Sequence, residues 1–240
     1  MSWLEEGINK ILDLSKTEII DVNGRKYSTN GLSAVHVPTP RPVSLKTLSG
    51  LVDYVTNNRD ALDLNAMTAH VVSHNLVEVF GPTMFNAFCE RDFFAKSEAD
   101  PGDVFPFGRW LPLEDFNIQV MSRFTGAGDR ANIIAVCGKL SVDTSLAVED
   151  DGVSQTVQAK VGVTKLAEVT LPPVVELAPF RTFAEVEQPV SKFLFRMKRD
   201  GNSICAALYE ADGGAWRNDA MIKVAEYLKA NLPQQVVVIA

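Results

Sequence analysis

The chain is poor in the residues that most often announce chemistry. Of its 240 residues, three are cysteine and three are histidine. Cys89, Cys137 and Cys205 lie far apart, are odd in number and form no CxxC pair. That argues against a disulfide scaffold and against a cysteine zinc site, and suits a reducing cytoplasm. Positive charge is also short. Lys+Arg number 23 against 30 Asp+Glu, a net charge of −7, which excludes a globally basic duplex-DNA binder but leaves room for a local basic strip. No apolar run approaches the roughly 18–20 residues of a transmembrane helix. The start MSWLEEGINKIL has two early glutamates and no basic n-region, unlike a signal peptide. No Walker loop, HExxH, EF-hand or GxSxG pattern occurs, nor any internal repeat or Gly/Ser linker. What remains is a globular composition, 46% hydrophobic and 22% charged. The length fits a single domain or two intimately packed halves, 1–142 and 143–240.

Hydrophobic periodicity places the elements. Leu4, Ile8, Ile11 and Leu12 make one face of an amphipathic helix over 2–14, with Ser2 and Glu5 at capping-box spacing. TEIIDVNGRKYST reads as a hairpin turning at Asn23-Gly24, the pair a type I′ turn favours. Residues 29–43 carry Pro38, Pro40 and Pro42 and read as an extended connection. Leu48, Leu51, Val52 and Val55 mark a second helix ending near Asn57-Asn58, and MTAHVV and NLVEVF two strands around His74-Asn75. In FNAFCERDFFAK alternation favours a strand, with helix an alternative. Pro112, Glu114 and Asp115 open a helix running to about Phe124; TGAGD breaks it, and ANIIAVCGKL forms another. From 143 to 209 the chain is Val- and Thr-rich, with turns expected at Asp150-Asp151-Gly152 and Asp200-Gly201-Asn202. A last helix turns Ala220, Met221, Val224, Ala225 and Leu228 inward, and QQVVVIA closes as a strand. The expected fold is α+β: an antiparallel β-rich body, meander or sandwich, with short flanking helices and a C-terminal amphipathic helix. Both ends of the chain are expected to dock, on the body or on a neighbouring subunit.

Five constellations could carry chemistry. GAGDRA at 126–131 fits GxGxxA, with Glu149 about 20 residues on, but a dinucleotide site needs a strand before it, and a helix precedes it here. A glycine-broken helix–helix loop is the simpler reading. His70, His74 and Glu78 carry ligand-type side chains, yet a turn at His74 would take them off a shared face. His36 has no obvious partner. Asp150-Asp151 reads as a hairpin turn, and Glu185 and Glu187 around Val186 as a solvated strand face. The segment SKFLFRMKRDG sets Lys192, Arg196, Lys198 and Arg199 among Phe193, Phe195 and Met197. Cations beside strand-borne rings suit a single-stranded nucleic acid, whereas period two would instead put the rings in a core and the cations in water. Gly213-Gly214 before Trp216 and Arg217 reads as a compact turn, with Trp216 a packing anchor or, with Trp3 and Arg217, an interface residue.

In order and spacing, LSGLVDYVTNNRD, AMTAHVVSHNLVEVF, FCERDFFAK, LPLEDFNIQVMSRF, IIAVCGKL, DDGVSQTVQAKVG and PVVELAPF…SKFLFRMK resemble the YfdQ-like family of bacteriophage and prophage proteins over about residues 47–209. The resemblance implies a viral protein in the cytoplasm of the bacterial host, near replication and recombination genes. It carries over no catalytic residue. With no convincing catalytic set, the first expectation is a non-enzymatic phage protein, without cofactor or metal, that self-assembles into a homo-oligomer and acts by binding. The alternatives are a single-stranded nucleic-acid accessory protein using Lys192, Arg196, Lys198 and Arg199, and a metal-dependent hydrolase at His70 and His74. A host or phage protein is a further possible partner.

Overall fold

A computed structural model describes residues 3–28, 41–84, 89–139, 145–150, 155–161, 164–201 and 203–240. Elements are numbered in chain order. Ser2, His36, the proline-rich connection over 29–40, Phe88 and the Asp151-Gly152 turn lie outside the described residues.

The chain opens with helix α1 (Trp3–Ser15) and a hairpin of β1 (Ile19–Val22) and β2 (Arg25–Ser28). Asn23 and Gly24 both take positive φ at 54° and 76°, as the type I′ turn requires, and the Asp21 carboxylate accepts the Gly24 N–H. None of the thirteen residues of α1, all of them described, is buried.

The first lobe is a five-stranded sheet. After β3 (Val43–Leu45) comes α2 (Leu48–Asn57), capped by the Thr47 hydroxyl at the Gly50 N–H and ended by Asn58 in the left-handed region at φ 41°. Strands β4 (Thr68–Ser73), β5 (Leu76–Thr83) and β6 (Arg91–Glu98) run antiparallel, so the FNAFCERDFFAK segment resolves to a strand from Arg91 onward.

In the second lobe, β7 (Leu111–Pro112) leads into α3 (Leu113–Arg123), and α4 (Arg130–Lys139) follows a glycine-bearing loop. An antiparallel three-stranded sheet holds β8 (Ser145–Asp150), β9 (Gln155–Val161) and β10 (Thr164–Leu171). Next, β11 (Val174–Leu177), β12 (Ser191–Asp200) and β13 (Ser203–Glu210) form a meander that β7 extends. Helix α5 (Trp216–Asn231) and strand β14 (Val237–Ile239) then return the chain to the first lobe.

The fold is α+β with mostly antiparallel sheets and a C-terminal helix packed on a sheet. Ala69, Val71, Val77, Val79 and Ala95 face Leu48, Leu51 and Val55 of α2 and Val224, Ala225 and Leu228 of α5. A second core sets Val175, Phe193, Phe195, Met197, Ala206 and Leu208 against Phe116, Val120 and Phe124 of α3 and Ile133 and Cys137 of α4. Helix α5 and strand β14, late in the chain, complete the first core. Two features differ from the sequence reading. The five-stranded sheet is mixed, since edge strands β14 and β3 pair parallel to β4 and β6. Glu185 and Glu187 lie in the loop between β11 and β12, not on a strand. There Glu185 accepts the Ser49 N–H and hydroxyl at the start of α2, and Glu187 pairs with Lys223 of α5 at 2.8 Å.

Candidate functional site

Period two along β12 sorts the basic strip. Phe193, Phe195 and Met197 are buried beneath α3 and α4. Their rings are committed to the core and offer no stacking surface. Lys192, Arg196 and Lys198 alternate with them on the opposite face, Lys192 exposed and the other two half-buried. Arg199 falls on the parity of the core residues, at the strand end, where its Nε donates to the Gly201 carbonyl. The four cations therefore do not share one face.

The outer face carries rings from elsewhere in the chain. Tyr209 of β13 lies opposite Leu194 of β12. Trp110, just before β7, meets Tyr209 edge to face, with ring centroids 6.4 Å apart. The Lys198 ammonium stands 4.8 Å from the centre of the Trp110 ring. Gly108, at φ 72°, donates its N–H to the Leu208 carbonyl and fits its loop against the Tyr209 ring. The partly exposed rings Trp110 and Tyr209 thus join Lys192, Arg196 and Lys198 on one face. Two carboxylates border it: Glu176 opposite Lys192, and Asp200, 3.8 Å from the Lys198 ammonium.

A second constellation joins the lobes. Arg181, in the loop between β11 and β12, is only 4% exposed. Its Nη1 reaches Glu210 at 2.9 Å, its Nη2 donates to the Ser191 hydroxyl, and its guanidinium lies 3.7 Å from the centre of the Trp216 ring. The Gln188 carbonyl oxygen accepts the Arg181 and Thr182 N–H groups, and its amide donates to the Phe183 and Val186 carbonyls. Arg217 approaches the same indole at 4.8 Å, and His74 meets it edge to face, also at 4.8 Å. The Thr182 hydroxyl donates to the His74 carbonyl, tying the β4–β5 turn to this loop. Burial pulls Arg181 down to about 10 against the opposing pull of Glu210 and Asp212, so it stays cationic at neutral pH. Burial, Arg217 and Arg181 together hold His74 below its ordinary value. For Asp212, burial acts upward, but hydrogen bonds from Gly214, Ser191 and Trp216 and the charge of Arg181 outweigh it and hold the carboxyl low. This is a lock of directional contacts around one indole.

The remaining candidates find structural roles. Trp216 is 5% exposed and acts as the packing anchor, with Arg217 exposed above it, while Trp3 is 81% exposed. Positive φ at Gly213 and Gly214 makes the turn into α5. His70 pairs with Glu78 across β4 and β5, whereas His74 sits in the turn against Trp216. Among the described residues, no three His, Cys, Asp or Glu side chains are grouped to hold a metal ion. Residues 126–129 form a loop between α3 and α4, and Arg130 and Ala131 open α4, so a helix and not a strand is the element before the glycines. Sequence reading missed Arg181, Trp110 and Tyr209. The one available signal was a lone arginine inside the apolar run LAPFRTFAEV.

These features define an α+β protein with a basic–aromatic sheet face and a buried arginine–tryptophan lock. No protein-family model matches the chain, and comparison with curated proteins and with solved structures finds no significant match. No helix among the described residues is long and apolar enough to cross a membrane.

Proposed function

We propose that the chain is a non-enzymatic binding protein that works as a homo-oligomer, joined through its N-terminal helix. The observation that carries this reading is the exposed apolar side of α1. Trp3, Leu4, Ile8, Ile11, Leu12 and Leu14 are all exposed, Ile11 at 68%. Leu4, Ile8 and Ile11 follow the 4-3 spacing of a helix–helix seam. A helix of 13 residues is marginal alone in water, so its stability calls for a partner surface. Covering this set is worth roughly 5–10 kcal/mol per helix. Association costs on the order of 4–15 kcal/mol. One helix against an unrelated surface barely offsets that, whereas a symmetric pair of copies buries two helices at once. The YfdQ-like resemblance adds a bacteriophage origin and the bacterial host cytoplasm as the setting. Light scattering of the purified chain tests the proposal. The expected result is a multiple of 26.3 kDa that drops to the single-chain mass in the Ile8→Glu, Ile11→Glu double variant. A single-chain mass for the unaltered protein at micromolar concentration overturns it.

A further inference from the structure

The outer face of the β7, β11–β13 sheet has no use in self-association through α1, and its chemistry is specific. We infer that this face binds single-stranded DNA, with Trp110 and Tyr209 stacking on bases and Lys192, Arg196 and Lys198 following the phosphates. Alternate residues on a strand lie about 6.7 Å apart, close to the phosphate repeat of an extended single strand. Arg196 and Lys198 are one such step apart on β12, and Lys192 lies two steps before Arg196 with Leu194 between, while the Arg196 Nη1 also donates to the Pro173 and Phe195 carbonyls. Lys198 caps the Trp110 ring at 4.8 Å. A base arriving on that ring displaces the ammonium toward the phosphate beside it, so one movement serves both contacts. Tyr209, edge-on to Trp110, offers a second ring in a different plane, which suits an unpaired strand whose bases can splay and not a stacked duplex. Between rings and cations the sheet presents Leu194 and Pro112, with Ala207 and Cys205 buried beneath; neither Leu194 nor Pro112 brings a side-chain donor or acceptor to a ribose 2′-hydroxyl, and an apolar floor fits deoxyribose. Glu176 and Asp200 at the border limit the affinity and make the cations essential to it.

The test is fluorescence anisotropy of a labelled oligothymidylate of about 20 nucleotides with the full chain. Three phosphate contacts on a single strand predict a log–log salt slope of about −2, hence about a 20-fold loss of affinity between about 50 and 200 mM salt. Lys192→Glu, Arg196→Glu and Lys198→Glu together should abolish binding. Trp110→Ala should weaken it about tenfold or more with the slope unchanged, and Trp110→Phe should restore most of it. Far-UV circular dichroism and light scattering check that each variant keeps its fold and its assembly state. No binding at low salt, undiminished binding by Trp110→Ala, or equal or tighter binding of oligouridylate or duplex DNA overturns the inference. The reading of α1 is untouched by any of these results.

Discussion

Gly128 shows what the glycines of the GAGDRA segment are for. It sits at φ 65°, and a Cβ there would overlap the Glu176 carbonyl oxygen and lie 2.9 Å from the carbonyl carbon. That approach lets the loop dock on β11. The Asp129 N–H donates to the Glu176 carbonyl at 2.8 Å, and the Glu176 N–H donates to the Asp129 carboxylate at 3.0 Å. The Thr125 N–H donates to Ala178 and the Phe180 N–H to Arg123, both at 2.9 Å, so the segment is clamped along its length. Alanine at 128 carries a left-handed strain of about 1 kcal/mol. Because both colliding groups are backbone, the loop must also retreat, losing a neutral bond worth about 1 kcal/mol and a charge-assisted one worth about 1.5–3 kcal/mol. Gly128→Ala should therefore cost about 3–5 kcal/mol, or roughly 10 °C in Tm at this chain length. Gly102→Ala is the control: φ is 72° there too, with nothing within 4 Å of the added Cβ, so it should cost only about 1 kcal/mol. Urea unfolding followed by circular dichroism measures both, with unchanged slopes separating stability from residual structure. If Gly128→Ala unfolds at the same urea concentration as Gly102→Ala, the close-approach argument is wrong. A glycine serving a nucleotide instead would alter ligand binding and leave this difference absent.

Two further outcomes follow from the buried groups. His74 is held below its ordinary value by burial, Arg217 and Arg181, so the unfolded chain takes up its proton at a higher pH than the folded one, and stability falls as pH drops below about 6.5. His74→Phe keeps an aromatic ring against Trp216 and should flatten the loss of urea midpoint between pH 7.5 and 5.5; an equal loss in both proteins would contradict this. Cys89 is exposed while Cys137 and Cys205 are buried, and burial pushes the Cys137 thiol up to about 12. A chromogenic disulfide reagent should therefore titrate one thiol quickly in the native protein and the other two only after denaturation; two fast thiols would place one of the buried pair at the surface.

How much was legible depended on how local each cause is. Asn23-Gly24 names its own turn and the apolar positions of α2 and α5 their own faces, so these elements could be read directly. Parity alone decides that Phe193, Phe195 and Met197 are core, and the same count sets Arg199 apart from Lys192, Arg196 and Lys198. Pairing partners are another matter. Nothing in QQVVVIA says that it lies parallel to a strand some 170 residues earlier, because that choice depends on α5 first crossing the sheet. Val186 between two glutamates mimics strand alternation, yet the buried amide of Gln188 folds this stretch into a loop by bonding to its backbone. Arg181, Ser191, Glu210, Trp216 and His74 come from five separated stretches and carry no common motif. Trp110 and Tyr209 likewise lie 99 positions apart and meet only through the β13–β7 pairing.

The lock has a consequence for how the two proposed surfaces could work together. Each lobe has its own apolar core, and the β11–β12 loop of the second lobe reaches into the first core through Phe183 and Val186. Apolar contact is non-directional and tolerates sliding, whereas a guanidinium held by Glu210, Ser191 and an indole face has one geometry. The energetic yield of a buried arginine is modest once its desolvation is counted; what it contributes is a single relative orientation, reinforced where Thr182 holds the His74 turn. Helix α1 precedes the first lobe in the chain, while Trp110, Tyr209 and the β12 cations belong to the second. Copies joined through α1 would each carry one basic–aromatic face. A strand bound by one copy then meets the next at a raised effective concentration, which lets individually weak faces bind firmly together. An acidic chain that carries only a narrow basic strip gains from that arrangement, since assembly multiplies the strip without making the protein basic as a whole.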